Sequence, residues 1–225
     1  MKANTYRVIG VMSGTSLDGI DLCEAEFVKK KSDWSYAILD TATIPYNQLW
    51  KSLLQNAHEL SNAELTNLDQ KYTLYLSEVI SKFMKYPEKI DKICSHGHTI
   101  LHQPEKKITY QIGNLPELAK LLKKTVVCDF RTADVKLNGQ GAPLVPIGDQ
   151  LLFAEYDYCI NIGGFANVSF ENADKRYAFD ICPANKILNY YARKLGLSYD
   201  DKGQIARQGK CNFSLLEKLN DLNLT

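Results

Sequence analysis

Val8, Ile9 and Val11 form an apolar run that reads as a buried strand, and the polarity then changes abruptly. Ser13, Gly14, Thr15, Ser16 and Asp18 make a polar loop, after which Gly19, Ile20, Asp21, Leu22 and Cys23 alternate as a second strand. The pattern predicts a meander of strands over 6–12, 19–28 and 36–44, with Lys29, Lys30 and Lys31 at a solvated tip. Helical periodicity begins near Asn62: Leu65, Leu68, Tyr72, Tyr75, Leu76, Val79, Ile80 and Phe83 share one stripe. Ser61 and Glu64 have the spacing of a capping box, and Pro87 marks the exit. Short strands are predicted at 90–94, 108–112 and 125–128, with a helix over 115–123 entered through Pro116.

The glycines and prolines of 139–146 suggest a domain boundary, giving domains over 1–146 and 147–225. Beyond it the same device returns. A strand at 158–162, the Gly163-Gly164 turn, strands at 166–170 and 177–179, and a helix over 185–195 repeat the order of the opening. Two glycine hairpins on two domains could grip one polyphosphate from opposite sides.

Composition narrows the classes. A net charge of +1 gives no reason to expect nucleic acid or an anionic membrane as partner. The 45% hydrophobic content is ample for a core. No apolar run approaches the ~20 residues of a membrane helix. A strand begins close to Met1, so no signal peptide is expected. The six cysteines include no Cys-x-x-Cys pair, and Cys23, Cys94, Cys128 and Cys159 lie in apolar runs. Buried, reduced thiols of a cytoplasmic protein are expected.

Several residues carry candidate chemistry. Backbone N–H groups and hydroxyls of the loop from Ser13 to Gly19 suit a phosphate, and Asp18 and Asp21 then require a cation such as Mg²⁺. An ordinary Gly/Asp hairpin fits the same residues. Asp180 stands at a strand end before a helix, with Phe179 and Ile181 to desolvate it; it is a general-base candidate or a helix N-cap. Arg131 could hold a carboxylate bidentately, or pair internally with Asp129 or Asp134. His96, His98 and His102 could bind a metal, as in a metal-dependent hydrolase, or line a polar pocket.

The segment Gly10-Val11-Met12-Ser13-Gly14-Thr15-Ser16-Leu17-Asp18-Gly19-Ile20-Asp21 resembles the first phosphate motif of the anhydro-N-acetylmuramic acid kinases. These belong to the actin, sugar-kinase and heat-shock ATPase superfamily. The likeness continues in family order at Ser95-His96-Gly97, Gln111–Asn114, Asp129-Phe130-Arg131, Gly139–Pro146 and Asn161–Asn167. The resemblance implies an α/β, two-domain actin-like (ribonuclease H-like) sugar-kinase fold that uses ATP and Mg²⁺. By resemblance, Gly14, Thr15, Ser16, Leu17, Asp18, Gly19, Ile20 and Asp21 contact the nucleotide, joined by Asn161, Gly163 and Gly164 of the second hairpin, with Asp18 toward the metal. Asp180 is then catalytic, and His98, Thr99, Arg131, Asp134 and Asn185 face the sugar.

The implied reaction opens the 1,6-anhydro ring of 1,6-anhydro-N-acetylmuramic acid with water and phosphorylates O6, in cell-wall recycling. A small amino sugar is the implied partner, with a homodimer open and neither nucleic acid nor membrane involved. Two departures stand out. Ile181-Cys182-Pro183-Ala184 replaces a glycine-rich stretch, and His98 stands where many members carry Gln. Nothing after Asn185 resembles the family's adenosine motif, so the second domain is expected to be incomplete. A non-catalytic sugar- or phosphate-binding fragment is the alternative, and a hydrolase using His96 and His98 a more distant one.

Overall fold

The structure, a computed structural model, describes residues 4–14, 16–31 and 33–221; Thr15 of the loop lies outside the described residues. β1 (Asn4–Ser13), β2 (Gly19–Lys30) and β3 (Asp33–Pro45) form the expected meander. β1 and β2 pair antiparallel, with Val11 opposite Leu22 and Met12 opposite Asp21. β4 (Lys92–Gln103) lies parallel to β1 on its other side, a pairing that needs a crossover. The helices α1 (Gln48–Gln55) and α2 (Asn62–Phe83) supply it. β5 (Ile108–Ile112) completes the order β3-β2-β1-β4-β5, and β6 (Thr125–Val127) pairs with β4. This is a mixed α/β sheet, as the resemblance implies.

Alternation along the strands sends Ile9, Val11, Ile20, Leu22 and Ile93 into one core with Leu65, Leu68, Tyr72, Leu76 and Ile80 of α2. Each such side chain contributes ~1.5–3 kcal/mol by leaving water, so this face holds sheet to helix. The capping box is present: Ser61 N–H donates to Glu64 Oε2 at 2.9 Å, and Glu64 N–H to Ser61 Oγ at 3.4 Å. Aromatic rings pack against the middle of α2. Trp50 stacks on Tyr75 with centroids 4.8 Å apart and meets Tyr72 edge-on at 5.5 Å.

β4 runs nine residues beyond the Cys94 at which the sequence ends it, so the three histidines belong to the strand. Gly97 explains the misreading. Its φ of +71° interrupts the register without ending the pairing, and an added Cβ would lie 2.7 Å from Asn114 Nδ2 and Ile112 O. After Gln103 come α3 (Pro116–Leu122), α4 (Phe130–Lys136) and α5 (Leu144–Leu152).

Contacts divide the chain into two units, 1–157 with 171–177, and 158–170 with 178–225. The boundary expected after Pro146 falls inside the first unit, because α5 lies against β3 and Phe153 meets Tyr36 edge-on at 6.0 Å. β7 (Tyr158–Ile162), β8 (Phe165–Asn172) and β9 (Lys175–Pro183) form a second sheet in that order, followed by α6 (Asn185–Lys194), α7 (Gln204–Gln208) and α8 (Phe213–Asn220). Ala166 and Val168 of β8 are buried, but Tyr158, Ile160 and Ile162 of β7 are 64%, 63% and 68% exposed. An apolar strand face thus stands open in the second unit. The cysteines are free, and none is fully buried: Cys23, Cys94, Cys128 and Cys159 are half-buried, whereas Cys182 and Cys211 are exposed. The expectation of buried thiols is corrected accordingly. Among the described residues no helix is long and apolar enough to cross a membrane.

Candidate functional site

The loop between β1 and β2 is tightly tied. Leu17 N–H donates to Gly14 O at 3.3 Å, closing a turn in which Leu17 takes φ +58°. Its side chain packs against the core. Ser16 Oγ and Gly19 N–H both donate to Asp18 Oδ1, at 2.6 and 3.0 Å. Gly14 is half-buried, Ser16 and Asp18 are exposed, and Ile20 points into the core. Asp21 is exposed and accepts from Thr43 Oγ1 at 2.5 Å.

Gly19 is dictated by space, because an added Cβ would collide with the backbone of Ile44 and Pro45. Gly19→Ala is therefore expected to cost about 1–3 kcal/mol, through displacement of β3 from the loop exit. A urea unfolding midpoint equal to that of the unaltered chain would refute this.

Beneath the loop lies a buried polar cluster. Ser13 Oγ is 2.7 Å from both Tyr46 OH and Tyr72 OH and 2.9 Å from His98 Nδ1, and the two phenols are 2.5 Å apart. His98 is only 2% exposed, and burial, aided by His96, pulls its pKa down to about 4. Burial raises the Tyr46 and Tyr72 phenols. His98, expected at the sugar, is thus lodged in the core at the root of the loop. Thr99 beside it accepts a long 3.5 Å contact from Gln111 Nε2.

The irregularity at Gly97 turns His96 and His98 to opposite faces of the sheet. His96 lines a concavity of about 780 Å³ on the outer face, with Gly10, Met12, Asp21, Thr43, Phe130 and Leu144. This volume suits a small ligand, and it lies over the carboxyl-terminal part of β1 and the amino-terminal part of β4, at Cys94 and His96. Two histidines that point apart do not form a metal pair. Among the described residues no group of three metal-ligating side chains converges.

Arg131 ties His96 to the following loop. Its Nε donates to His96 Nε2 at 2.8 Å and its Nη1 to Gly141 O at 2.6 Å. His96 Nε2 must then be bare, so Nδ1 carries the proton and donates to Gly97 O at 2.8 Å. Burial and then the Arg131 charge hold the His96 pKa low. Asp134 Oδ2 accepts from Gly141 N–H at 2.7 Å, and its carbonyl from Gly139 N–H at 2.8 Å. Asp134 therefore shapes the 139–141 turn and does not pair with Arg131. Among the described residues Arg131 forms no ion pair, although it is half-buried.

In the second unit Asn161 stands opposite Asn167 in the register of β7 and β8. The first amides of α6 are taken by the glycine turn. Ala184 and Lys186 N–H donate to Gly164 O at 2.9 and 3.1 Å, and Asn185 N–H to Gly163 O at 3.1 Å. Asn185 Nδ2 adds a bond to Ile162 O at 3.2 Å. Asp180 is exposed within β9 and is not the cap of α6, which is Ala184. Phe179 and Ile181 lie on the other face of the strand, so they do not desolvate it as the sequence suggested.

A family model described as anhydro-N-acetylmuramic acid kinase matches residues 6–223. The chain belongs to the anhydro-N-acetylmuramic acid kinase family. The curated kinase of that name from Pseudomonas syringae pv. syringae is 38% identical over 225 residues, covering 94% of this chain and 60% of its own length. That from Rhodopseudomonas palustris is 35% identical over 221 residues, covering 89% and 59%. The chain thus spans about three-fifths of the length of these relatives. A solved Ppx/GppA family member from Aquifex aeolicus, 13% identical, covers 83% of this chain and 54% of its own with a TM-score of 0.35, a likeness too slight to carry an argument.

Two supports of these motifs escape sequence reasoning. Tyr46 carries no local signal. Asp69 does, as a carboxylate inside the apolar stripe of α2. It accepts from Gly113 N–H at 2.7 Å and Tyr110 OH at 3.1 Å, fixing the 111–114 motif. Asn114 in turn accepts from Ser95 Oγ at 2.8 Å.

Proposed function

We propose that this chain carries the sugar and phosphate sites of an ATP-dependent kinase that hydrolytically opens 1,6-anhydro-N-acetylmuramic acid and phosphorylates O6. The observation that carries this reading is the family match over residues 6–223. The half-buried Arg131 supports it, since a guanidinium without a protein carboxylate suits the lactyl carboxylate of the sugar. The His96-lined concavity beside it gives the sugar room.

The loop chemistry fits the phosphoryl donor. Gly14 and Ser16 offer a backbone turn and a hydroxyl to phosphate, and exposed Asp18, bonded through Oδ1, has Oδ2 for Mg²⁺. Asn161, Gly163 and Gly164 would offer further polar and backbone contacts to phosphate. Mg·ATP would supply the phosphoryl group for O6. Asp180 would orient a water and take its proton as the C1–O6 bond opens. Cytoplasmic cell-wall recycling is the setting this activity implies.

Calorimetry with the purified chain tests the sugar site. 1,6-Anhydro-N-acetylmuramic acid is expected to bind, and the analogue lacking the lactyl group at least about tenfold more weakly. Equal affinity for the two, or affinity for neither, would overturn the assignment. A phosphorylated product in the same mixture with Mg·ATP, detected by mass spectrometry, would distinguish a working kinase from a binding fragment.

A further inference from the structure

We propose that Tyr46 is a positioning residue that clasps both ends of the loop between β1 and β2. At the loop entrance its hydroxyl meets Ser13 Oγ at 2.7 Å. At the exit its backbone N–H donates to Asp18 O at 3.2 Å. One residue, distant in sequence, thus closes the loop, while Leu17 pins its middle to the core. That the clasped loop holds phosphate rests on the function proposed above; the clasp itself does not.

Donor counting explains why the cluster includes His98. The contacts Ser13–Tyr46, Ser13–Tyr72, Tyr46–Tyr72 and Ser13–His98 are four, but the hydroxyls of Ser13, Tyr46 and Tyr72 provide three protons. The fourth must come from His98 Nδ1–H. Each hydroxyl can then donate once around a closed ring, with the imidazole donating into Ser13 Oγ. Tyr72 is fully buried and Tyr46 is 4% exposed, so water cannot readily replace a missing donor. The ring holds the Tyr46 phenol where it reaches Ser13, and the peptide following Pro45 holds Asp18.

Amide hydrogen exchange of the full chain tests the clasp without any ligand. Tyr46→Phe deletes one hydroxyl and keeps the ring and the backbone N–H. It is expected to speed exchange at Leu17, Gly19 and Tyr46 by about tenfold, while amides of α2 and β4 change less than about twofold. Ser13→Ala removes the Tyr46 contact together with those to Tyr72 and His98; it should speed exchange at the same loop amides, and unchanged exchange there overturns the clasp even if Tyr46→Phe does not fold. Tyr75→Phe, a neighbouring phenol outside the ring, should leave the loop unchanged. Unchanged loop exchange in the variants, or equal acceleration throughout α2 and β4, would overturn the proposal. A second readout, Mg·ATP affinity by calorimetry, should fall in Tyr46→Phe and should not recover when sucrose raises the protein's stability. If the unaltered chain binds no Mg·ATP while the exchange pattern holds, the clasp stands and the assignment of phosphate to this loop falls.

Discussion

Asp180→Asn is expected to lower turnover of 1,6-anhydro-N-acetylmuramic acid with Mg·ATP by ~10²–10⁴-fold, the usual worth of general-base assistance. Asn keeps the shape of the side chain and removes its ability to accept a proton, so sugar affinity should be nearly unchanged. The structural alternative for Asp180 is gone, because Ala184 and not Asp180 caps α6. What remains is an exposed carboxylate on the strand that leads to the glycine turn and Asn185. Exposure matters here: a base that must take a proton from water needs access to water. Steady-state rates and calorimetry of Asp180→Asn and the unaltered chain make the test. Near-normal turnover in Asp180→Asn, in a preparation where the unaltered chain is active, would remove Asp180 from the chemistry.

Stability is expected to fall by about 3 kcal/mol as the pH drops from 6.5 to 4, through His98. The sign follows from which state binds the proton. In the unfolded chain His98 protonates near its ordinary value of 6.5, whereas in the folded core it stays neutral until about pH 4. Between those values the unfolded chain holds more protons, so acid favours unfolding. Above pH 6.5 both states are neutral and the group adds no pH dependence. His96, whose pKa is also held low, adds a contribution of the same sign. His98→Gln keeps a side-chain donor for Ser13 and cannot titrate. Urea unfolding from pH 4 to 7 should therefore show a distinctly flatter slope in His98→Gln, and identical slopes would contradict the assignment.

The legibility of this chain followed the range of the forces involved. β1, β2 and α2 were visible because strand alternation and the helical stripe are local patterns, as is the capping box at Ser61 and Glu64. β4 was cut short because Gly97 reads as a strand end, when its positive φ only offsets the register. That offset also hid the parting of His96 and His98, which a regular two-residue spacing puts on one face. The boundary after Pro146 looked sound from glycine and proline content, but α5 packs back on β3 through Phe153 and Tyr36.

The ring of Ser13, Tyr46, Tyr72 and His98 joins positions 85 residues apart. No window of sequence contains it. Arg131 was visible as a candidate anion site; its lack of a protein carboxylate was not, since Asp129 and Asp134 are adjacent in sequence and Asp134 turns toward Gly141.

The stacking of Trp50 on Tyr75, edge-on to Tyr72, gives the chain a built-in optical reporter. Tyr72 belongs to the hydroxyl ring, so Trp50 sits one aromatic contact from the loop root. The other tryptophan, Trp34, lies near the β2–β3 turn beneath the Lys29 ammonium. Replacing Trp34 with Phe would leave a single indole whose emission follows the loop, so that ligand arrival could be timed by stopped flow without attaching a dye.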